Sequence, residues 1–493
     1  MKFGVFYEHQ MGRPWEDGAE HRLIQDALDQ VALADAVGFD YVWEVEHHFL
    51  EEYSHSSAPE VFLAACSQRT SRIRLGHGVV LTAPQFNHPA RVAERIATLD
   101  LLSSGRVDFG SGESSSEAEL AGFQIDPARK REAWLEGLET SLRCMVEVPF
   151  TGVDGEFVQM PPRNVVPKPH QRPHPPVWVA CSRRDTILLA ASKGIGALTF
   201  AFIDPEEAVT WVSEYERVLG ADCVPVGFAV NPQVACVTPM MLHGDEDEAI
   251  RRGVEGANFF GYSLGHFYVF GTHRPGRTDV WAEYTERRAA QGFDPEAVLR
   301  ARQAGEASDS GEDPVRHGGR SSAFAGRNEN VREQRLGAKV AAGDTTGLRG
   351  CIGTPEQARQ YLRRYEEAGV DQVIFVLQAG RNRHEHIMES LELFGREVLP
   401  EFAERDPALS AAKAERLAPI VEAALARKPA ASRDLGDYSF PAIPRQWADV
   451  SGSAEMREWL EKFADDQAAG RRDTETGIGA PLLQASTGVA PGP

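Results

Sequence analysis

The chain has 493 residues, of which 42% are hydrophobic and 25% are charged, and its formal net charge is -21 at pH 7. These values are ordinary for a globular protein, and the acidic excess argues against nucleic acid or an anionic membrane as the main partner. The N-terminal residues enter a strand-like run at once, and no stretch of about 18 apolar residues occurs, so we expect neither a secretory signal nor a membrane span. The six scattered cysteines predict reduced thiols and a cytoplasmic location.

Strand-like and helix-like segments alternate along most of the chain, which places the protein in the α/β class. The strands are almost continuously apolar, as in a parallel sheet covered by helices. There are eight strand candidates, the number that a closed (β/α)8 TIM barrel requires. They are Lys2–Tyr7, Phe39–Val45, Ile73–Leu81, Gly105–Gly110, Val177–Cys181, Gly196–Phe202, Val226–Asn231 and Asp371–Gln378. Gln233–Thr238 competes for the seventh place, and an open doubly wound sheet is the alternative fold.

Two parts of the chain fall outside this strand count. A long insertion, about residues 240–350, separates strand seven from helix seven, and its segment 303–347 is rich in Gly, Ser, Arg and Asp. That composition is typical of a mobile loop, which is either a lid over the active site or a surface loop without contact to it. We predict a barrel domain over residues 1–404 and a partly disordered C-terminal extension over residues 405–493.

In a barrel of this kind the active site lies at the carboxyl ends of the strands. Glu46, His47 and His48 follow the second predicted strand. A histidine there can hydrogen-bond a cofactor or exchange protons near neutral pH, and the alternative is a capping and packing role. No further ligands at metal-site spacing accompany these residues, so no metal is predicted.

Two other strand ends carry segments suited to a cofactor. In Gly110–Ser116, glycines permit close backbone approach and serines can donate hydrogen bonds, although an ordinary loop has the same composition. Ser182, Arg183 and Thr186 lie between a strand and a helix, where hydroxyls, backbone N–H groups and an arginine can hold a phosphate. A solvated helix start explains this second segment equally well.

Taken in order, these segments resemble the bacterial luciferase-like flavin-dependent monooxygenases. The matching stretches include KFGVFYE, FDYVWEVEHHF and PPVWVACSRRDTILLAASKGIG, and they cover roughly residues 1–240 and 350–402. The most specific feature is EHHF followed by HPxRxAExxxxLDxxSxGR, which runs from His88 to Arg106.

The resemblance implies a (β/α)8 barrel that binds FMN at its carboxyl rim. The cofactor is the reduced form, which a separate flavin reductase supplies and which is used with O2 to oxygenate a small organic substrate. The implied partners are the transient reductase, the substrate and a second copy of the chain in a homodimer. The alternatives within this resemblance are a deazaflavin-dependent hydride-transfer oxidoreductase and a non-catalytic flavin-binding relative.

The resemblance also assigns residues. The catalytic positions are His47 and Glu46, and a turn that often contains a non-prolyl cis peptide contacts the isoalloxazine ring. The residues of the cofactor site are Val80, Leu81, Thr82, Asn87, Gly112, Glu113, Ser182, Arg183 and Thr186. Family members carry an arginine where this chain has Glu113, and a carboxylate there repels phosphate. We therefore expect Arg183 or Arg184 to replace that arginine.

Overall fold

The structure is a computed structural model, and it describes residues 1–200, 203, 205–291, 350–430 and 432–440. Contacts divide the chain into residues 1–432 and residues 433–493, and everything that follows concerns the first unit. The segment 303–347 and most of the predicted extension lie outside the described residues. Within the described parts of the chain, no helix is long and apolar enough to cross a membrane. The six cysteines are buried and unpaired, as predicted.

Parallel strands form a closed ring around the core. The ring is made of β1 (Lys2–Tyr7), β2 (Tyr41–Glu44), β3 (Arg74–His77), β5 (Val107–Gly112), β8 (Val177–Cys181), β9 (Gly196–Thr199), β10 (Val234–Leu242) and β12 (Gln372–Val376). Strand β1 pairs with both β2 and β12, and β9 pairs with β10, so the ring has no free edge. This confirms the predicted (β/α)8 barrel and excludes the open sheet.

In the described part of the chain, four short strands lie outside the ring, namely β4 (Val80–Leu81), β6 (Val153–Asp154), β7 (Gln159–Met160) and β11 (Cys351–Gly353). The helices are α1 (Ala19–Val37), α2 (Pro59–Arg69), α3 (Pro89–Leu102), α4 (Glu117–Gly122), α5 (Lys130–Val146), α6 (Arg184–Ser192), α7 (Pro205–Asp222), α8 (Glu246–Gly265), α9 (Val280–Gln291), α10 (Pro355–Glu367), α11 (His384–Glu397) and α12 (Leu399–Ala426). A π-helical segment, His266–Phe270, follows α8. Helix α8, the π-helical segment and helix α9 belong to the predicted insertion between β10 and α10.

The seventh strand is β10, so the prediction of a strand over Val226–Asn231 is wrong and the competing segment is the correct one. All nine residues of β10 are buried, and it pairs with β9 and β12. In the rejected segment, Phe228 N donates to Nε2 of His174 at 2.9 Å instead of to a strand. Prolines stand on both sides of that segment in the sequence, and because proline has no N–H they cannot donate to extend a strand ladder past it.

The predicted domain boundary at residue 404 falls inside helix α12. This helix packs on the base of the barrel through charged contacts. Lys413 Nζ donates to Asp371 at 2.7 Å, and Arg416 pairs with Glu216 at 2.6 Å. The helix thus continues the packed unit past the predicted end.

Two tryptophans fill the inside of the barrel, and each lies over a glycine of the next strand. Trp43 of β2 is in register with Gly76 of β3, and Trp178 of β8 is in register with Gly196 of β9. The two indole rings meet edge to face across the barrel, with centroids 5.5 Å apart. Both rings are fully buried, so the two glycines make the room that the large rings occupy.

We predict that Gly76→Ala destabilises the protein by about 1–3 kcal/mol, the usual cost of overpacking a core. A Cβ atom at this position would lie 2.3 Å from Cε3 of the buried Trp43 ring. The matched control is Gly244→Ala, because a Cβ atom there meets nothing within 4 Å. Urea unfolding of both variants gives the two free energies of unfolding. Equal stability of the two variants would contradict this account of the core.

Candidate active site

A cavity of about 660 Å³ opens at the carboxyl ends of the barrel strands, a size typical of small-molecule and cofactor sites. Its wall contains residues that follow β1, β2, β5, β8 and β9, together with residues of α5, α6, α8 and the π-helical segment. The predicted site residues that line it are Glu46, His47, Leu81, Gly112, Glu113, Ser182, Arg183 and Thr186. The fold thus brings eight of the eleven predicted site residues to one cavity.

Val80, Thr82 and Asn87 are buried behind the wall instead of lining it. Thr82 Oγ1 lies 3.0 Å from Ser111 Oγ, and Val80 pairs with the same residue in the short β4–β5 ladder. Asn87 Nδ2 donates to Leu81 O at 2.9 Å. These three residues support the turn between β3 and β5, in which the Gly78–Val79 peptide bond is cis.

Glu46 holds the same turn from the side of β2. Its Oε1 accepts from Asn87 Nδ2 at 2.8 Å, and its Oε2 accepts from Leu81 N at 2.8 Å. Both carboxylate oxygens are engaged, which favours a positioning role for Glu46 over the predicted catalytic one.

His47 lies between two buried carboxylates. Its Nδ1 is 2.9 Å from Glu119 Oε1 on helix α4, and its Nε2 is 3.7 Å from Glu8 Oε2 at the end of β1. The hydroxyl of Tyr268 in the π-helical segment is 3.5 Å from Nδ1. The backbone at this strand end is fixed as well, because His47 N donates to Ser56 O at 2.7 Å.

The charges around His47 set its protonation state. Burial by itself lowers the pKa of His47, but the carboxylates of Glu8 and Glu119 outweigh burial and raise that pKa to about 9. Burial raises the pKa of Glu119, and its contacts with His47 and Ser114 reverse this, so that its pKa lies below its ordinary value. His47 is therefore an imidazolium at neutral pH, which favours the predicted hydrogen-bonding role over the predicted exchange of protons near neutrality.

Another part of the wall is rich in cations. Lys130 and Arg131 at the start of α5 line the cavity beside Ser182, Arg183 and Thr186 around the start of α6. Lys130 Nζ donates to the carbonyl oxygen of Ser114. Hydroxyls, a helix N-terminus and cationic side chains together are the groups that bind phosphate in proteins.

The carboxylate of Glu113 is neutralised at this part of the wall. Arg131 donates to its Oε1 at 3.0 Å and to its Oε2 at 3.3 Å, and Lys130 Nζ is 3.9 Å away. Arg184, one of the two expected substitutes, pairs with Glu214 and does not line the cavity. The cation that pairs with Glu113 is thus Arg131, which the sequence analysis did not single out.

Several other functional residues were also missed. Glu8 directly follows the first strand, so the strand-end rule could have found it. Glu119 and Arg131 lie on helices, where nothing in the sequence links them to the site. Tyr268 belongs to an aromatic-rich part of the insertion, from which Phe260 also reaches the cavity. Among the residues that the structure describes, no group of three or more His, Cys, Asp or Glu is arranged to hold a metal ion.

Comparison with known proteins identifies the family. The family model described as luciferase-like monooxygenase matches residues 1–372. The oxygenase component of the flavin-dependent trigonelline monooxygenase of Acinetobacter baylyi is 30% identical over 200 residues, which cover 39% of this chain and 52% of that protein. The chain spans between 52% and 60% of the length of the first curated relatives that it matches.

Solved structures agree with the barrel. A monooxygenase from Streptomyces bottropensis matches with a TM-score of 0.58 and 24% identity, over 82% of this chain and 100% of its own. An F420-dependent secondary alcohol dehydrogenase matches with a TM-score of 0.54 and 16% identity, over 80% of this chain and 98% of its own. At these identities the structural matches show a shared fold. The family match covers most of the sequence, and the chain therefore belongs to the luciferase-like monooxygenase family.

Proposed function

We propose that the protein is a flavin-dependent monooxygenase that takes reduced FMN from a separate reductase and uses it with O2 to oxygenate a small organic substrate. The observation that carries this proposal is that one cavity has both a wall of cationic side chains, hydroxyls and a helix N-terminus and, in another part, a partly buried imidazolium. The family supports the reaction class, and the trigonelline relative supports the division between an oxygenase component and a reductase.

The residues present fit the phosphate of FMN. The hydroxyls of Ser182 and Thr186 and the first N–H groups of α6 offer donors, and the helix dipole favours an anion there. Lys130 and Arg183 supply positive charge at the same wall, where Arg131 pairs with Glu113. Because Arg131 already neutralises Glu113, the carboxylate does not cancel the attraction for phosphate.

The rest of the cavity fits a flat ring system. Val79, Leu81 and Val179 present apolar surface to the cavity, and Gly112 lines it beside them. A Cβ atom at Gly112 would lie 2.5 Å from Cγ2 of Val79. The absence of a side chain at Gly112 therefore leaves the space that Val79 occupies in this wall.

When bound, reduced FMN supplies the electrons with which oxygen is activated. The protein itself contributes the positive charge of His47 and keeps water out of the cavity. The His47 imidazolium offers an N–H donor to a group that gains negative charge, and donors placed in a buried site are far more effective than donors in water. Phe260, Leu264 and Tyr268 cover the cavity with apolar and aromatic surface, which suits a substrate that is apolar in part.

We predict that Arg131→Ala weakens the binding of reduced FMN by about 10–100-fold, the range for a hydrogen bond to a charged group. The change removes a cation and frees the Glu113 carboxylate to repel phosphate. Anaerobic titration followed by absorbance measures the Kd. Arg184→Ala is the matched control, because Arg184 pairs with Glu214 away from the cavity.

Riboflavin, which lacks the phosphate, tests the assignment of this wall. Its affinity should be the same in the wild type and in Arg131→Ala, and adding Glu113→Gln to Arg131→Ala should restore part of the FMN affinity. An equal loss for riboflavin and FMN would show that Arg131 does not act on the phosphate.

We further predict that the protein binds reduced FMN more tightly than oxidised FMN or a reduced deazaflavin, and that it does not oxidise NADH without a reductase. No GxGxxG motif follows a strand, so the sequence shows no dinucleotide site. Anaerobic titration with each cofactor and an oxygen pulse measure this. Tighter binding of the deazaflavin would favour hydride transfer, binding without any reaction would favour a non-catalytic relative, and NADH oxidation by the protein alone would rule out a separate reductase.

The protonation state of His47 gives a further prediction. In Glu119→Gln the pKa of His47 should fall from about 9 toward its ordinary value of about 6.5, because an anion 2.9 Å from Nδ1 is removed. Histidine-selective ¹⁵N NMR titration measures it, with the signal assigned by its loss in His47→Gln. Glu117→Gln on the exposed face of the same helix is the control. An unchanged pKa in Glu119→Gln would mean that this carboxylate does not hold the charge on His47.

A further inference from the structure

One buried carboxylate oxygen in the cavity wall has no hydrogen-bond partner among the described residues. Glu8 is 2% exposed, and its Oε1 accepts from the Tyr53 hydroxyl at 2.9 Å. Its Oε2 accepts from no donor and lies 3.7 Å from His47 Nε2, which is too long for a hydrogen bond. Nearly all buried polar atoms in proteins have partners, so an unpaired oxygen at a ligand cavity indicates a contact that the ligand completes.

We propose that Glu8 is the proton acceptor of this site, and that its ligand presents an O–H or N–H group to Oε2. The proton passes from the ligand to Oε2, the electron pair of the broken bond stays on the ligand oxygen or nitrogen, and Glu8 becomes a neutral carboxylic acid. The assignment rests on the proposed function only in that a substrate occupies this cavity.

The other acidic and basic groups of the wall are already engaged. His47 carries a proton on both ring nitrogens at neutral pH, so it cannot accept another. Both oxygens of Glu46 hold the turn at Leu81 and Asn87, and both oxygens of Glu113 accept from Arg131. Of the carboxylates that line the cavity, Glu8 alone keeps an oxygen without a protein donor in the described residues.

The groups that face Glu8 suit it to this task. Burial raises the pKa of Glu8 to about 7, against the opposing effect of the His47 cation and of the hydrogen bond from Tyr53. Ser54 donates to the backbone oxygen of Glu8 at 2.8 Å, and Glu44 on β2 adds a further raising effect. A general base works best when its pKa lies near the working pH. Between about pH 7 and 9 the pair therefore consists of a Glu8 carboxylate and a His47 imidazolium.

Infrared titration of the protein without cofactor tests the acid–base assignment. In the wild type, the carbonyl band of a protonated carboxyl group should disappear with a midpoint near pH 7. Glu8→Gln should lack this titration, and Glu113→Gln, which removes a cavity carboxylate that is already paired, should keep it. A titration near pH 7 that persists in Glu8→Gln would overturn the proposal.

The ligand contact is tested with phenol and toluene, which differ in the O–H donor. At pH 8, phenol should bind the wild type about tenfold more tightly than toluene, as expected for a hydrogen bond to a charged acceptor. The preference should vanish in Glu8→Met, which keeps an unbranched side chain of similar length, and remain in Glu113→Gln. No preference in the wild type, or a preference that survives Glu8→Met, would overturn the assignment.

Cofactor binding separates this inference from the proposed function. Thermal unfolding confirms that each Glu8 variant is folded, and Glu8→Gln carries the test if Glu8→Met is not. A protein that shows both Glu8 results but does not bind reduced FMN would contradict the proposed monooxygenase and leave Glu8 as the acceptor. A protein that binds reduced FMN but shows neither Glu8 result would contradict Glu8 as the proton acceptor and leave the proposed monooxygenase standing.

Discussion

The site is organised by a partly buried positive charge on His47 and the carboxylates that hold it there. Taking an imidazolium out of water is costly, and only close anions compensate for the loss of hydration. Glu8 at the end of β1 and Glu119 on α4 supply them, so one ionic cluster joins the first two barrel strands to a helix that follows the fourth barrel strand, β5. Removing one partner of such a cluster leaves an uncompensated buried charge, which gives these side chains a structural as well as a chemical role.

Another wall of the same cavity carries cationic side chains, which favour an anionic ligand. The chain as a whole carries a net charge of -21, yet Lys130, Arg131 and Arg183 gather at one wall of the site. A local concentration of cations with low-dielectric surroundings attracts an anion in spite of the overall charge. The family arginine is absent after β5, and Arg131 from α5 pairs with the carboxylate that stands in its place. That pair is neutral, so the remaining positive charge of the wall comes from Lys130 and Arg183.

Sequence patterns predicted the barrel because parallel strands are apolar, short and separated by helices. They also predicted much of the rim, since Glu46, His47 and Ser182 each follow a strand directly. The seventh strand was misplaced because Val226–Asn231 and β10 are both apolar, and pairing with two neighbours decides between them. Glu119 and Arg131 could not be predicted, because helices bring them to the site from elsewhere in the chain. The raised pKa of His47 could not be predicted either, because the fold brings Glu8 and Glu119 close to it.

A crystal structure of the complex with reduced FMN, grown without oxygen, would show whether one bound flavin contacts both the cationic wall and His47. The account places the FMN phosphate against Arg131 and Ser182, and the isoalloxazine ring at the end of the cavity that holds Leu81 and His47. A phosphate bound outside this wall, or an isoalloxazine ring that does not contact His47, would contradict the proposal that one flavin binds both the cationic wall and the His47 imidazolium.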